Sequence, residues 1–260
     1  KPIVTADSQQ TRNWKSPMNE NEKVIEGLLE AIGEGRPDAL GAEQLVDIMT
    51  EITHGYDRLS GLQPAVSFFG SARIQPGEPA WESARETARL LSESGFAIIS
   101  GGGPGIMEAV NRGARQGGSP SVGLNIRLPG RTEPPNQYQD ISLHFHHFFV
   151  RKSIFVHFAA AFVVMPGGFG TLDEVLECLT LMQTDKARRI PVILMDSGFW
   201  TGLTDWFRNT LLRRGTIAER DLEAFQIIDQ PEKVRDAVVE YYTGRAAGCP
   251  ADTGGIVGSI

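Results

Sequence analysis

The chain has 260 residues, 41% of them hydrophobic, and a formal net charge of −7. That length suits one large α/β domain, or one domain with an extension, and the apolar content is enough for a core. The acidic balance argues against a general nucleic-acid binder, which needs clustered Lys and Arg, and no apolar run reaches the roughly 18 residues of a membrane-spanning helix. The chain opens on Lys1 rather than Met, so a start upstream is expected, and it shows no charged-then-apolar leader pattern. Cys178 falls in a predicted helix and Cys249 in a Gly/Pro-rich tail, so a disulfide is not expected and a reducing, cytoplasmic setting is.

Residues 1 to about 18 are polar and unpatterned and read as a mobile arm. Helical apolar spacing recurs over 20–32 and over 39–59, predicting helices that pack on the main domain or on a second subunit. Residues 65–69 read as the first strand, followed by a helix over 79–94 that Gly95 closes. A strand over 96–100 runs into five residues that are glycine except for Pro104, and a helix over 106–116 follows. Then come a strand over 121–126, a Pro/Gly/Asn-rich loop over 128–140, a strand over 141–148 and a short helix over 150–158. The apolar run from Ala159 gives a strand over 161–165, and a helix extends from Leu172 to about Thr184. The remaining elements are a strand over 191–195, a helix over 199–214, a short strand over 225–228 and a helix over 232–242. Three segments result: an arm and helical extension over 1–63, a nucleotide-binding catalytic domain over 64–243, and a flexible tail over 244–260.

Strands alternating with helices predict a Rossmann-like, doubly wound parallel sheet with helices on both faces, preceded by a helical extension. Ligands in such sheets bind at the carboxyl ends of the strands, near a switch in strand order. Gly70, Gly101 to Gly105, Asn125 and Gly167 to Gly170 all follow strand ends, so they should converge on one crevice.

The most informative segment is Met165-Pro166-Gly167-Gly168-Phe169-Gly170-Thr171-Leu172-Asp173-Glu174. A strand, a glycine turn and a helix start together make an anion site, because bare backbone N–H groups and the positive end of the helix dipole favour a phosphate. Thr171 can add a hydroxyl donor. Glu174, one turn further on, is ill suited to a phosphate and therefore points to another part of the ligand, such as sugar hydroxyls or a developing cation. The turn Gly101-Gly102-Gly103-Pro104-Gly105 lacks the dinucleotide spacing of glycines, and about 20 residues on stands Asn125, where a ribose-binding acid would be. Neither glycine loop ends in the Gly-Lys-Ser/Thr of a Walker loop.

Arg151-Lys152 could clamp a phosphate or orient a sugar, and solvated charges are the plainer alternative. His144, His146 and His147 lack a Cys or acidic neighbour to complete a tetrahedral metal set, so packing or surface roles are expected. The basic residues Arg208, Arg213, Arg214 and Arg220 read as a solvated face.

Taken together, Pro166 to Glu174, Arg151-Lys152 and Gly101-Gly102-Gly103-Pro104-Gly105-Ile106-Met107-Glu108 resemble the LOG ("lonely guy") family of nucleotide phosphoribohydrolases, whose hallmarks are Pro-Gly-Gly-x-Gly-Thr-x-x-Glu and an upstream Arg-Lys. The resemblance covers 65–243, and the phenylalanine-rich strand before Arg151 is closer to the bacterial long type. It implies hydrolysis of the N-glycosidic bond of a nucleoside 5′-monophosphate, AMP-like or cytokinin-riboside-monophosphate-like, to free base and ribose 5-phosphate. Glu174 and Arg151 would then be the catalytic pair. Ser71, Gly102, Gly103, Gly105, Met107, Asn125, Lys152, Gly167, Gly168, Gly170 and Thr171 would line the substrate site. No metal or organic cofactor is expected, and the resemblance implies a homodimer or larger homo-oligomer. The "lysine decarboxylase" label that many relatives carry has no support in a recognisable pyridoxal phosphate lysine. The rival readings are a nucleotide or molybdenum-cofactor carrier on the same fold, which would need the phosphate cradle but not the Glu174–Arg151 pair, and a DNA-binding protein with a similar core.

Overall fold

The computed structural model describes residues 42–62, 64–128, 130 and 134–248. The helix expected over 20–32 lies outside them, as do Cys249 and the end of the tail. The chain divides into two units, 1–47 and 48–260, and of the first only 42–47, the opening of one helix, is described.

Helix α1 spans Ala42–Leu59 and strand β1 Ala65–Phe69. Then follow α2 (Pro79–Glu93), β2 (Ala97–Ser100), α3 (Ile106–Gly117), β3 (Ser121–Ile126), β4 (Ile141–Phe145), α4 (Phe148–Phe158), β5 (Ala159–Val164) and α5 (Phe169–Gln183). The last elements are β6 (Val192–Leu194), α6 (Ser197–Trp206), β7 (Gln226–Ile227) and α7 (Pro231–Gly248). The seven strands form one sheet in the order β4-β3-β2-β1-β5-β6-β7, and every pairing is parallel. The chain winds outward from β1 to β4, then returns to β1's other edge with β5. The switch in strand order therefore lies between β1 and β5.

The sheet is covered on both faces, as alternation along its strands requires. Val66 and Phe68 point into a core layer with Trp81, Ala84, Ile106 and Val110 of α2 and α3. Ala65 and Phe69 point into the other layer, with Val150, Ile154 and Phe155 of α4 and Val175 of α5. Gly113 and Gly117 of α3 lie so close to α2 that a methyl group on either would overlap a carbonyl oxygen, Arg85 O or Arg89 O. Ser92 Oγ donates to Ala114 O at 2.7 Å across the same seam.

Several expected boundaries shift. Helix α5 begins at Phe169, three residues earlier than expected, because Gly168 can serve as its N-cap with extended backbone. Strand β4 ends at Phe145, and Phe148, expected to close it, instead opens α4. The helix expected over 199–214 divides into α6 and a π-helical stretch, Phe207–Leu212. A 3₁₀ turn at Glu219–Ala224, which lacks an apolar period to announce it, precedes β7. The final helix continues to Gly248. Among the described residues, no helix is long and apolar enough to cross a membrane.

Candidate functional site

Three loops meet at the carboxyl ends of β1, β2 and β5, and Ser71 ties them together. Its backbone N–H donates to Pro166 O at 3.0 Å, and its carbonyl accepts from Ile106 N at 3.0 Å. Two residues beyond β1, the chain is thus stitched both to the turn after β5 and to the first residue of α3. Gly105 makes the close approach possible. Its φ is +69, and a Cβ there would lie 2.5 Å from Ser71 O.

The β2 turn is held from inside by a polar network. Gly102 N donates to Ser100 Oγ at 3.0 Å, which donates to Asn111 Oδ1 at 2.6 Å. Gly102 O accepts from Asn136 N (2.8 Å), Asn136 Nδ2 (3.0 Å) and Gln139 Nε2 (2.7 Å). Asn136 Nδ2 also reaches Gly103 O and Asn111 Oδ1. Asn111 is fully buried on α3, and its Nδ2 donates to Ser121 Oγ and Val122 O. A buried amide must have such partners, and here they fix the loop shape.

Asn125 belongs to this scaffold. It is 5% exposed, and its Nδ2 faces Gly123 O, Gln139 Oε1, Ser142 Oγ and Leu143 O. Gly102 is at φ +75 and has no room for a Cβ against Asn125 Oδ1. Met107 is half-buried with its sulfur against Gly101.

The turn after β5 is open by contrast. Gly168, Phe169 and Gly170 are exposed, and no side chain caps α5. Gly167 is the tight position, since a Cβ there would overlap Thr171 Oγ1. Thr171 itself is 5% exposed. The start of α5, the positive end of a 15-residue helix, is therefore left open at Gly168 to Gly170.

One turn into α5, Glu174 meets Arg151 of α4. Arg151 Nη2 donates to Glu174 Oε1 at 3.3 Å, and their side chains are 10% and 15% exposed. Burial pushes the Glu174 carboxyl up to about 7; Arg151 and Lys152 pull it down, and Asp173 and Glu177 add to the rise. Arg151 lies between the rings of Phe148 and Phe155, 5.4 and 5.8 Å from their centroids, and its Nη1 reaches Leu124 O at 3.5 Å. Lys152 is turned another way. Its Nζ pairs with Asp173 at 3.1 Å and Glu177 at 3.0 Å. Burial works to lower its pKa, but these pairs outweigh it and hold the ammonium above its ordinary value.

Ser71, the two glycine turns, Thr171, Arg151 and Glu174 thus cluster by direct contact or through their loops, while Lys152 sits on the carboxylates of α5. Asn111, Asn136 and Gln139 were not singled out from sequence. An asparagine on the inward face of an amphipathic helix was the available signal for Asn111; residues 134–140 carry no period at all. His146 and His147 both contact Glu51 (2.6 and 3.2 Å), an acidic partner 95 and 96 residues away. Among the described residues no three His, Cys, Asp or Glu side chains form a metal-holding group. A separate cavity of about 340 Å³ opens along the carboxyl half of α5, lined by Leu179, Met182, Phe207, Leu211 and Phe225, and it includes none of the crevice residues.

Residues 107–238 match the family model described as "Possible lysine decarboxylase". The chain is 31% identical over 162 residues to the cytokinin riboside 5′-monophosphate phosphoribohydrolase of Mycobacterium tuberculosis, covering 60% of this chain and 82% of that one. It is 30% identical over 165 residues to the cytokinin riboside 5′-monophosphate phosphoribohydrolase LOG of Oryza sativa subsp. japonica, covering 61% of this chain but only 64% of the rice protein. Among solved structures, a molybdenum cofactor binding protein from Rippkaea orientalis superposes with a TM-score of 0.52 at 21% identity, over 69% of this chain and 98% of that one, which shows a shared fold. With its Pro-Gly-Gly-x-Gly-Thr-x-x-Glu turn, its Arg-Lys pair and these relatives, the chain belongs to the LOG family.

Proposed function

We propose that this chain hydrolyses the N-glycosidic bond of a nucleoside 5′-monophosphate, releasing free base and ribose 5-phosphate. The observation that carries this reading is the buried Arg151–Glu174 pair, one helical turn from the uncapped start of α5. The 5′-phosphate takes the N–H groups of Gly168 to Gly170, with Thr171 as a further donor, which brings the ribose towards Glu174. Breaking the bond from C1′ to the base nitrogen leaves positive charge on the ribose ring. An ionised Glu174 stabilises that charge and takes a proton from the attacking water; the water oxygen bonds to C1′ as the bond from C1′ to the base nitrogen breaks, the base nitrogen takes up one proton from solvent, and Glu174 returns the water's proton to solvent, which leaves the carboxylate ionised again. A carboxyl tuned to about 7 suits this work at neutral pH. Arg151 orients Glu174 and keeps enough of it ionised. Ser71, Gly102, Gly103, Gly105 and Met107 shape the wall facing the nucleotide, and Asn125 acts from behind it.

Among the described residues no lysine fits a pyridoxal phosphate role. Such a lysine needs a lowered pKa, whereas Lys152 is doubly paired and raised. Lys186 and Lys233, the other lysines among the described residues, are exposed.

The test is product analysis after separate incubation with AMP, GMP, CMP, UMP and a cytokinin riboside monophosphate. Free base plus ribose 5-phosphate, lost in Glu174→Ala, supports the reading and ranks the bases. Tight nucleotide binding without base release would turn it to a carrier. We also infer a homo-oligomer, because Phe148, Phe149, Phe169, Leu176 and Trp206 are large apolar side chains between 42% and 91% exposed.

A further inference from the structure

Helix α4 presents Arg151 to Glu174, yet it lacks what usually steadies a helix start. Its N-cap is His147, which makes no side-chain cap, and its first turn has no acidic residue. The missing carboxylate comes from Glu51 on α1. Glu51 Oε1 accepts the backbone N–H of His146 at 2.8 Å, and Oε2 that of His147 at 3.3 Å. The same oxygens face the ring Nδ1 atoms of His146 (2.6 Å) and His147 (3.2 Å).

The tautomer of His146 follows from its neighbours. Arg127 Nη1 lies 3.2 Å from His146 Nε2. A guanidinium only donates, so Nε2 accepts and the ring proton sits on Nδ1, aimed at Glu51. The Glu51 side chain is 11% exposed. Burial works to raise its pKa, but the hydrogen bonds from His146 and His147 outweigh it and keep the carboxyl below its ordinary value.

The link to Arg151 is one hydrogen bond long. Arg151 N donates to His147 O at 3.2 Å. A second grip lies one turn along α1 and about two turns along α4, where a Cβ on Gly55 would sit 3.0 Å from Ile154 Cδ1.

We propose that Glu51 is a positioning residue for Arg151: by clamping His146 and His147 it fixes the start of α4, and so holds the Arg151 guanidinium against Glu174. The part of α1 from Ile48 onward thereby becomes part of the site's scaffold. The proposal rests on reading Arg151 and Glu174 as the reacting pair, and its test does not depend on turnover alone.

The experiment is a double-mutant cycle of Glu51→Ala and Arg151→Ala, with two readouts. The first is the titration midpoint of Glu174, followed by NMR in protein labelled with ¹³C at glutamate carboxyls. Loosening Arg151 removes a charge that favours the ionised carboxylate. Glu51→Ala should therefore raise the midpoint by about half a unit or more, and should move it no further in the Arg151→Ala background. The second is AMP hydrolysis: kcat should fall about tenfold, as expected when a reacting group is misplaced by a fraction of an ångström, while KM stays within about twofold. Glu51→Gln keeps the shape and is the fallback if the alanine variant does not fold; it should show the same shifts at smaller size. A lowered melting temperature with an unmoved Glu174 midpoint, or additive effects in the cycle, would overturn the proposal. If the wild type releases no base, the proposed reaction fails on its own, and the titration still decides whether Glu51 acts on Arg151.

Discussion

Under the proposed reaction, Glu174 sets function against stability in one side chain. Its carboxyl is raised from an ordinary 4.5 to about 7 in the folded chain, chiefly by burial. Between those two values the folded state holds the proton that the unfolded chain releases, so this group's contribution to stability falls as pH rises from about 4.5 to about 7 and is flat above. The loss is roughly 3 kcal/mol at 1.36 kcal/mol per pKa unit. Glu174→Gln mimics the protonated form, so chemical denaturation at pH 8 should show it more stable than wild type by up to about that amount, with the gap closing near pH 4. Base release should be lost in the same variant. In the wild type kcat/KM should climb with pH to a plateau above about 7, since the ionised form does the work; a flat profile from pH 5 to 9 would remove Glu174 from the chemistry. The Arg-Lys pair shows what sequence leaves open at this scale. Adjacent residues on a helix point about 100° apart, so only one of the two can face Glu174. Arg151 does, and Lys152 goes to Asp173 and Glu177.

At the scale of the element, the two glycine turns differ in what holds them. The β2 turn is nailed by side chains from residues 111, 136 and 139, whereas the β5 turn is left open at Gly168 and Gly170. Alanine substitutions should sort accordingly in urea unfolding. Gly102→Ala faces both a positive φ and the Asn125 side chain, and should cost on the order of 1–3 kcal/mol. Gly167→Ala overlaps Thr171 and should weaken nucleotide binding as well as stability. Gly168→Ala has negative φ and open space, so its stability should stay within about 0.5 kcal/mol of wild type. The turns themselves were legible because glycines after apolar runs announce a strand end and a close approach. The clamps were not, because Asn136 and Gln139 lie in a stretch without period, and only tertiary contact gives them meaning. The early start of α5 was hidden for a related reason: Phe169 is 91% exposed and Gly170 is a poor helix former, so neither carries the apolar repeat that marks a helix.

Across the whole molecule, the alternation of strands and helices was enough to foresee a parallel sheet with both faces covered, and the strand ends were enough to gather the crevice. The strand order was not legible, since the return of β5 to the free edge of β1 is decided by which buried faces meet. If the crevice takes the phosphate as proposed, ribose 5-phosphate should stabilise the fold by mass action. At one hundred times its dissociation constant that is about 2.7 kcal/mol, or roughly 5–10 °C in melting temperature for a domain of this size. Gly167→Ala should lose most of that gain in a thermal-shift assay. Sedimentation equilibrium should give a multiple of the 28.4 kDa chain, and Leu176→Asp should shift it towards a single copy.

The glycine seam between α2 and α3 bears on how the crevice breathes. Helices that meet this closely, at two glycines and a serine hydrogen-bonded across the seam, leave little room for a rotamer change and slide or tilt only as one body. Ser71 and Gly105 then tie α3 to the ends of β1 and β5. That flank is a fixed wall, so under the proposed reaction the motion that admits a nucleotide and lets the base depart belongs to the opposite side, where the start of α5 is open and the first turn of α4 takes its carboxylate from Glu51. Relaxation-dispersion NMR should find microsecond-to-millisecond exchange in residues 146–152 and 168–174, and flat profiles across 84–92 and 109–117.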